Sequence, residues 1–219
     1  NEESLAECTK RQNEGRDLIA SVKKMQNQGL QVQAGFILGF DSDPDSIFKS
    51  QIDFIQKSGI AVAMVGLLQA LRGTKLHQRL KRENRLLEKD SGDNTDCSMN
   101  FIPKMNRERL VNGYKNVLTT IYSSKQYYTR VKRLLKQYKP QRTKGISRLE
   151  LWHIWALIRS MWFLGIVDRE RWHYWRFLGS TLMNRPRSFP MSVNLAVLGF
   201  HFRKLARKYA ALPVGGAPD

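Results

Sequence analysis

Two kinds of hydrophobic pattern alternate along the first half of the chain. Leu18, Ile19, Val22 and Met25 fall at helical spacing, and Gly29 closes that run, so an amphipathic helix is expected over residues 16–28. The stretch Leu30 to Phe40 is apolar through Val32, Phe36, Ile37 and Leu38, as in a strand of a parallel sheet covered by helices. Asp43-Pro44-Asp45 then opens a second helix, with Asp as its cap and Pro near its first turn. Its apolar face is Ile47, Phe48, Ile52, Phe54 and Ile55, and Gly59 ends it. A second apolar strand runs from Ile60 to Leu68. The order is strand, helix, strand, with Gly35 and Gly39 toward the carboxyl end of the first strand, where α/β folds place their ligands.

Beyond Leu68 the period is helical. Lys75 to Leu87 carries Leu76, Leu80 and Leu86. Glu88 to Asn100 reads as a loop. Helices are expected from about Asn106 to Tyr122, with Leu110, Tyr114, Val117, Leu118 and Ile121 in step, and from Lys125 to Tyr138. Lys139 to Arg142 reads as a linker. In the tail, Leu151, Trp155, Ile158 and Trp162 share one helix face, a helix spans about Arg169 to Met183, Asn184-Arg185-Pro186-Arg187 breaks it, and a last helix covers about Met191 to Tyr209. A short helix over Ser4 to Lys10 and a disordered end over Leu212 to Asp219 complete the reading. The fold class expected is α/β followed by mostly α, in three parts: residues 1–88, 89–139 and 140–219.

Glycines at a strand exit let backbone approach a flat ligand closely. The two exits place Gly35, Ile37, Gly39, Asp41 and Ser42 beside Leu68, Gln69 and Arg72. Adenine is flat and apolar on its faces, with donors and acceptors at its edge. Ile37 and Val65 are expected to supply apolar contact, and one backbone pair contributes roughly 1–3 kcal/mol, which is too little to hold the ligand alone. Arg72 is the candidate for an anionic group.

Charge and cysteine usage narrow the partners. The net charge is +18, and residues 140–219 hold 13 Lys and Arg against 4 Asp and Glu, so the tail is the more densely basic part and favours anionic partners. Two distant cysteines, Cys8 and Cys97, offer no CxxC or CxxxCxxC spacing, so this chain by itself is not expected to hold a metal or an iron–sulfur cluster. A cytoplasmic setting follows from that usage. The chain begins with Asn and reads as a piece of something larger; it shows neither a signal peptide nor an apolar run of about 18 residues. Tyr127 to Arg133 interleaves aromatic and basic residues as some nucleic-acid grooves do. All five tryptophans lie between Trp152 and Trp175 among arginines, a composition suited to an anionic membrane surface.

ESLAECTKRQN, AGFILGFDSD, IDFIQKSGI, AMVGLLQALRGTKL, GDNTD and NFIPKM together resemble the carboxyl-terminal part of a radical S-adenosylmethionine (SAM) enzyme, of the kind with an amino-terminal cobalamin-binding domain and a helical end. The resemblance covers residues 1–138. It implies the last two strands of a partial (β/α)₆ barrel, with Gly35, Ile37 and Gly39 seating the adenine of SAM and backbone near Leu67, Leu68 and Gln69 meeting its edge. The family's acidic position after the glycines is Ser42 here, beside Asp41, and Leu71 stands where relatives carry proline. Implied cofactors are SAM and a 4Fe-4S cluster, with cobalamin alongside. The parent enzyme would act on a small-molecule substrate, and this piece, lacking the missing amino-terminal half of the barrel, would be inert alone.

Overall fold

The computed structural model describes residues 16–87, 97–139 and 151–213, with the side chains of residues 151–153 left aside. The expected Ser4–Lys10 helix, most of the 88–100 loop, the linker beyond Lys139 and the end of the tail lie outside the described residues.

Helix α1 (Leu18–Asn27) is capped by Asp17, whose carboxylate accepts the Ala20 N–H at 2.9 Å. Strand β1 (Gln33–Leu38) follows, then α2 (Ile47–Ser58), closed by Gly59 in the left-handed conformation. Strand β2 (Val62–Leu67) pairs with β1 in parallel, Gly35 opposite Met64 and Ile37 opposite Gly66. Helix α2 begins later than its Asp-Pro signal suggests: Ser46 is the cap residue and makes no side-chain cap bond. Asp43 instead accepts the N–H groups of Gly39 and Phe40 at 2.9 and 3.0 Å, holding the strand exit rather than the helix start.

Helix α3 (Lys75–Arg82) is capped by Thr74 and stops short of Leu87. Leu86 instead bridges Phe101 in antiparallel fashion, with Leu87 N–H donating to the Asn100 carbonyl and Ile102 N–H to that of Arg85, both at 2.8 Å. Helices α4 (Arg107–Ile121) and α5 (Ser124–Gln137) follow, the first capped by Asn106 as its position suggests. The tail forms α6 (Leu151–Trp162), a π-helical turn at Phe163–Val167, α7 (Arg171–Asn184), a 3₁₀ turn and α8 (Phe189–Ala210).

Parallel pairing puts alternate residues on opposite faces of the two strands. One face is packed: Leu38, Ala63, Val65 and Leu67 are buried, and Phe36 meets Phe54 of α2 edge-on with ring centroids 5.8 Å apart. The core continues into α4 and α5 through Leu110, Tyr114, Val117, Ile121, Val131 and Leu134, all essentially inaccessible. Tyr122 ties α4 to β2, donating to the Ala63 carbonyl at 2.8 Å and accepting its N–H at 3.2 Å. The tail packs on the same helices. Tyr127 donates to the Leu195 carbonyl at 2.6 Å, and Tyr128 stacks on Phe177 at 4.8 Å. The aromatics of the Tyr127–Arg133 stretch are thus core residues, and so is Arg130; none of the three is presented to a nucleic-acid base.

Candidate functional site

The other face of the strand pair is open around Gly35, Ile37 and Met64, while Val62 and Gly66 on the same face are buried. Gly35 is exposed, and a side chain added there would meet nothing within 4 Å. Ile37 and Met64 are 41% and 58% exposed, unusual for the middle of a parallel pair, whose strands normally bury both faces. Register decides the lining. Ile37 shares this face with Met64 and Gly66, whereas Val65, expected to flank the ligand, points the other way into the core.

Among the described residues no strand pairs with the outer edge of β1. Leu38 gives its carbonyl to Leu68 N–H at 2.8 Å on the β2 side. The Ile37 carbonyl faces the opposite edge, where the Gln51 side-chain amide donates to it at 3.0 Å. Because peptide directions alternate along a strand, the backbone groups of Gln33, Gly35 and Ile37 face away from β2. On the outer edge of β2, Tyr122 holds both backbone groups of Ala63.

At the two exits, most of the residues singled out from the sequence build the lip rather than line it. Gly39 is buried with φ +105°, a conformation that favours glycine, and a side chain there would press on Leu110 at 3.2 Å and Met99 at 3.4 Å. Its N–H is engaged by Asp43. Asp41 receives a bidentate bond from Arg85, at 2.7 and 2.8 Å, and a third from Arg79 at 3.2 Å. The Arg85 hydrogen bonds hold the Asp41 carboxyl below the usual carboxylate range, against the opposing effect of burial. Arg85 also donates to the Ile102 carbonyl at 2.8 Å, so Asp41 joins the β1 exit to the end of α3 and to the 101–102 bridge. Ser42 is half-buried beside it.

Leu68 is buried behind the β2 exit. Gln69 donates to the Ser98 carbonyl at 2.8 Å and accepts the Asn100 N–H at 3.3 Å. Asn100 answers with its own amide, accepting the Ala70 N–H at 2.9 Å and donating to the Ala70 carbonyl at 3.1 Å. This reciprocal pair fastens the segment after Cys97 across the β2 exit. Nothing in the chain order relates residue 69 to residue 100. The only local signal was a run of polar residues, ending in Asn100, in what reads as loop. Arg72 projects from an exposed turn ending at Thr74, and no hydrogen bond or ion pair holds it among the described residues.

The structure therefore separates the candidates. Gly35 and Ile37 are exposed on one face of the strand pair and Arg72 on the turn after β2, while Gly39, Asp41, Leu68 and Gln69 shape the backbone at the exits. The open glycine face, with Ile37 and Met64 beside it, fits the flat apolar side of an adenine ring. A cluster is a different matter: among the described residues no three His, Cys, Asp or Glu side chains gather as metal ligands. Cys97 is buried with its thiol toward the Tyr209 carbonyl at 3.8 Å. The exposed part of the strand-pair face thus offers a small apolar surface beside an exposed glycine.

A family model described as a domain of unknown function (DUF4070) matches residues 74–212. The chain belongs to this family. The match begins at the cap of α3 and runs through α8, so α3 to α8 form its body and the strand pair lies outside it. An uncharacterized methyltransferase of Synechocystis sp. is 33% identical over 203 residues, covering 92% of this chain and 38% of that protein. The hopanoid C-2 methylase of Rhodopseudomonas palustris is 26% identical over 166 residues, covering 73% of this chain and 31% of that protein. The chain thus spans about a third of the length of these curated relatives. Both are methyl-transferring enzymes by name, which supports the radical SAM kinship that the strand-exit motifs suggest. No solved structure matches the chain.

Proposed function

We propose that this chain is the carboxyl-terminal part of a radical SAM methylase and supplies the adenine-side wall of its SAM pocket. The observation that carries the reading is the open face of the β1–β2 pair, where Gly35, Ile37 and Met64 stand exposed above two parallel exits. Its methylase relatives are about two and a half times its length, which leaves room for the rest of a barrel. The outer edge of β1, paired with no strand among the described residues, is where that other half would add its next strand, since unpaired strand edges recruit strands. Within the completed enzyme, a SAM-bound cluster would supply reductive cleavage of the sulfonium, with cobalamin as the methyl carrier. This chain's own share is narrower: Gly35 admits the adenine face, Ile37 and Met64 contact it, and Arg72 sits at the rim for an anionic group of cofactor or substrate. The methyl acceptor is proposed to be a small molecule, as the name of the hopanoid methylase suggests for that relative.

The test uses the full-length parent with its cluster assembled. Gly35→Val places a branched side chain on the open face without touching the core. SAM affinity measured by equilibrium dialysis should fall about tenfold or more, the equivalent of about 1.4 kcal/mol, while the melting temperature stays put. Unchanged affinity, or a parent reading frame without a CxxxCxxC motif, would remove the proposal.

A further inference from the structure

The tail leaves a second surface uncovered, and it is apolar. On α6, Ile154, Trp155, Ile158 and Trp162 form a stripe turned to solvent, with Trp155 62% and Trp162 57% exposed. The opposite side of α6 is the packed one, where Ser160 bonds to the Tyr174 hydroxyl at 2.9 Å. The stripe continues into the π-helical turn through Ile166 and Val167, both more than half exposed. Helix α7 joins it there: Trp175 donates to the Gly165 carbonyl at 2.9 Å, and the Trp175 ring fills the space beside that glycine. The free side of α7 then adds Trp172 and Met183, 72% and 84% exposed. Isolated exposed hydrophobics are ordinary on a protein surface, but contiguous ones mark an interaction site.

Among the described residues, the exposed charges on these two helices are of one sign. Arg159, Arg171 and Arg176 are exposed on the same two helices. In residues 151–213 the acidic side chains are Asp168 and Glu170, and both are engaged by arginines of α8. Arg203 pairs with Asp168 and with Glu170 at 3.3 Å, and Arg207 holds Glu170 at 2.6 Å. Next door on α5, Lys132 is half-buried; partial burial, then the nearby charges of Arg176 and Lys136, lower its pKa. The basic rim is therefore crowded and, among the described residues of α6 and α7, carries no acidic side chain.

We propose that the α6–turn–α7 surface is an interfacial anchor that docks on an anionic lipid bilayer. Tryptophan, isoleucine and methionine on one side with arginines at the margin is the composition that settles at the headgroup boundary. Among the described residues no helix is long and apolar enough to cross a membrane, so the contact is with one leaflet. A second copy of the chain is a poorer fit. A two-fold contact sets the same patch against itself, bringing arginines against arginines with no carboxylate on the described residues of α6 or α7 between them. This inference stands apart from the SAM-pocket reading and survives its failure.

The experiment is flotation of the full chain with vesicles of phosphatidylcholine alone and of phosphatidylcholine with phosphatidylglycerol, at low and raised salt. Wild type should float with the anionic vesicles, shift its tryptophan emission to the blue, and release as salt rises. The double variant Trp155→Glu and Trp162→Glu should lose flotation at unchanged circular dichroism, and Met183→Glu should weaken it. The pair Arg159→Glu and Arg176→Glu should reduce binding to anionic vesicles by about tenfold or more. Absence of wild-type flotation at low salt overturns the proposal, and so does flotation that ignores the tryptophan changes. A wild-type dimer in light scattering that Trp155→Glu and Trp162→Glu convert to monomer would assign the surface to a second copy instead.

Discussion

Arg130 is the largest side chain removed entirely from solvent. It donates to the carbonyls of Ile121 and Ala61, at 2.8 and 3.3 Å, and lies over the rings of Tyr122 and Tyr127, 5.6 and 5.2 Å from their centroids. No carboxylate is among these partners. The Ile121 carbonyl belongs to the last turn of α4, where the helix dipole favours a cation, and two electron-rich ring faces add to it. Burial lowers the Arg130 pKa, the mark of a charge held against desolvation. Truncation to alanine removes the clamp between β2 and α4 and leaves a cavity. Arg130→Ala should therefore lose about 3 kcal/mol or more in urea unfolding, whereas Arg130→Met, which fills the space without a charge, should lose clearly less. Asp41 is the second revealing residue. Its folded pKa lies below the 3.8 of an ordinary aspartate, so its stabilising effect is complete above about pH 5 and fades as pH falls through the folded value. The stability gap between wild type and Asp41→Asn, about 2 kcal/mol at neutral pH, should hold steady from pH 5 to 8 and narrow below 3.8. A gap that widened in acid would show that Asp41 is not charged in the fold.

The elements carry their own contrast in two helical glycines. Gly199 of α8 faces Tyr127, and an added side-chain carbon would lie 2.1 Å from that ring. The ring is anchored through its hydroxyl to Leu195 and cannot step aside freely. Gly179 of α7 has nothing within 4 Å. Alanine is favoured over glycine inside a helix by up to about 1 kcal/mol, so Gly179→Ala should raise the melting temperature by a few degrees. Gly199→Ala should lower it by more, through overpacking. Scanning calorimetry of the pair measures both, and a shared sign would deny that α5 and α8 meet at this ring. Most helices were legible in the sequence because their apolar positions keep a 3.6-residue period and end on glycine or polar caps, as Gly59 and Asn106 show. The failures are instructive. Asp43 looks like a helix cap, yet two nearer N–H groups at the strand exit claim its carboxylate. Leu86 continues the period of α3, but the Phe101 segment offers it a bridge instead. Local signals lose where a non-local partner supplies the hydrogen bonds.

In the molecule as a whole, the strand pair and the helices share one buried core, and the tail helices close over α4 and α5. The candidate site was partly legible. The strand order, the glycines and the exits could be read from the chain, because a parallel strand with glycines at its end is a local pattern. Which candidates face the opening could not, since a strand's two faces are told apart only by what packs on them. Val65 and Met64 look equally fit as ligand contacts, and the register sends one into the core and the other to the surface. The tail poses the same problem more sharply. Residues 151–167 are apolar almost all the way round, so periodicity cannot name the buried side. The same tryptophans that suit a core stand exposed because Tyr174, Phe177 and Leu178 of α7 fill the core position first. By itself, then, the amino-acid sequence determined the order of elements, the basic tail and the glycine-bearing exits, all properties of neighbours along the chain. The tertiary structure alone decided that Asp41 serves Arg85, that Gln69 serves Asn100, and that two apolar faces remain open. Those outcomes depend on which distant groups arrive first at a shared hydrogen bond or a shared cavity, and chain order does not encode that contest locally.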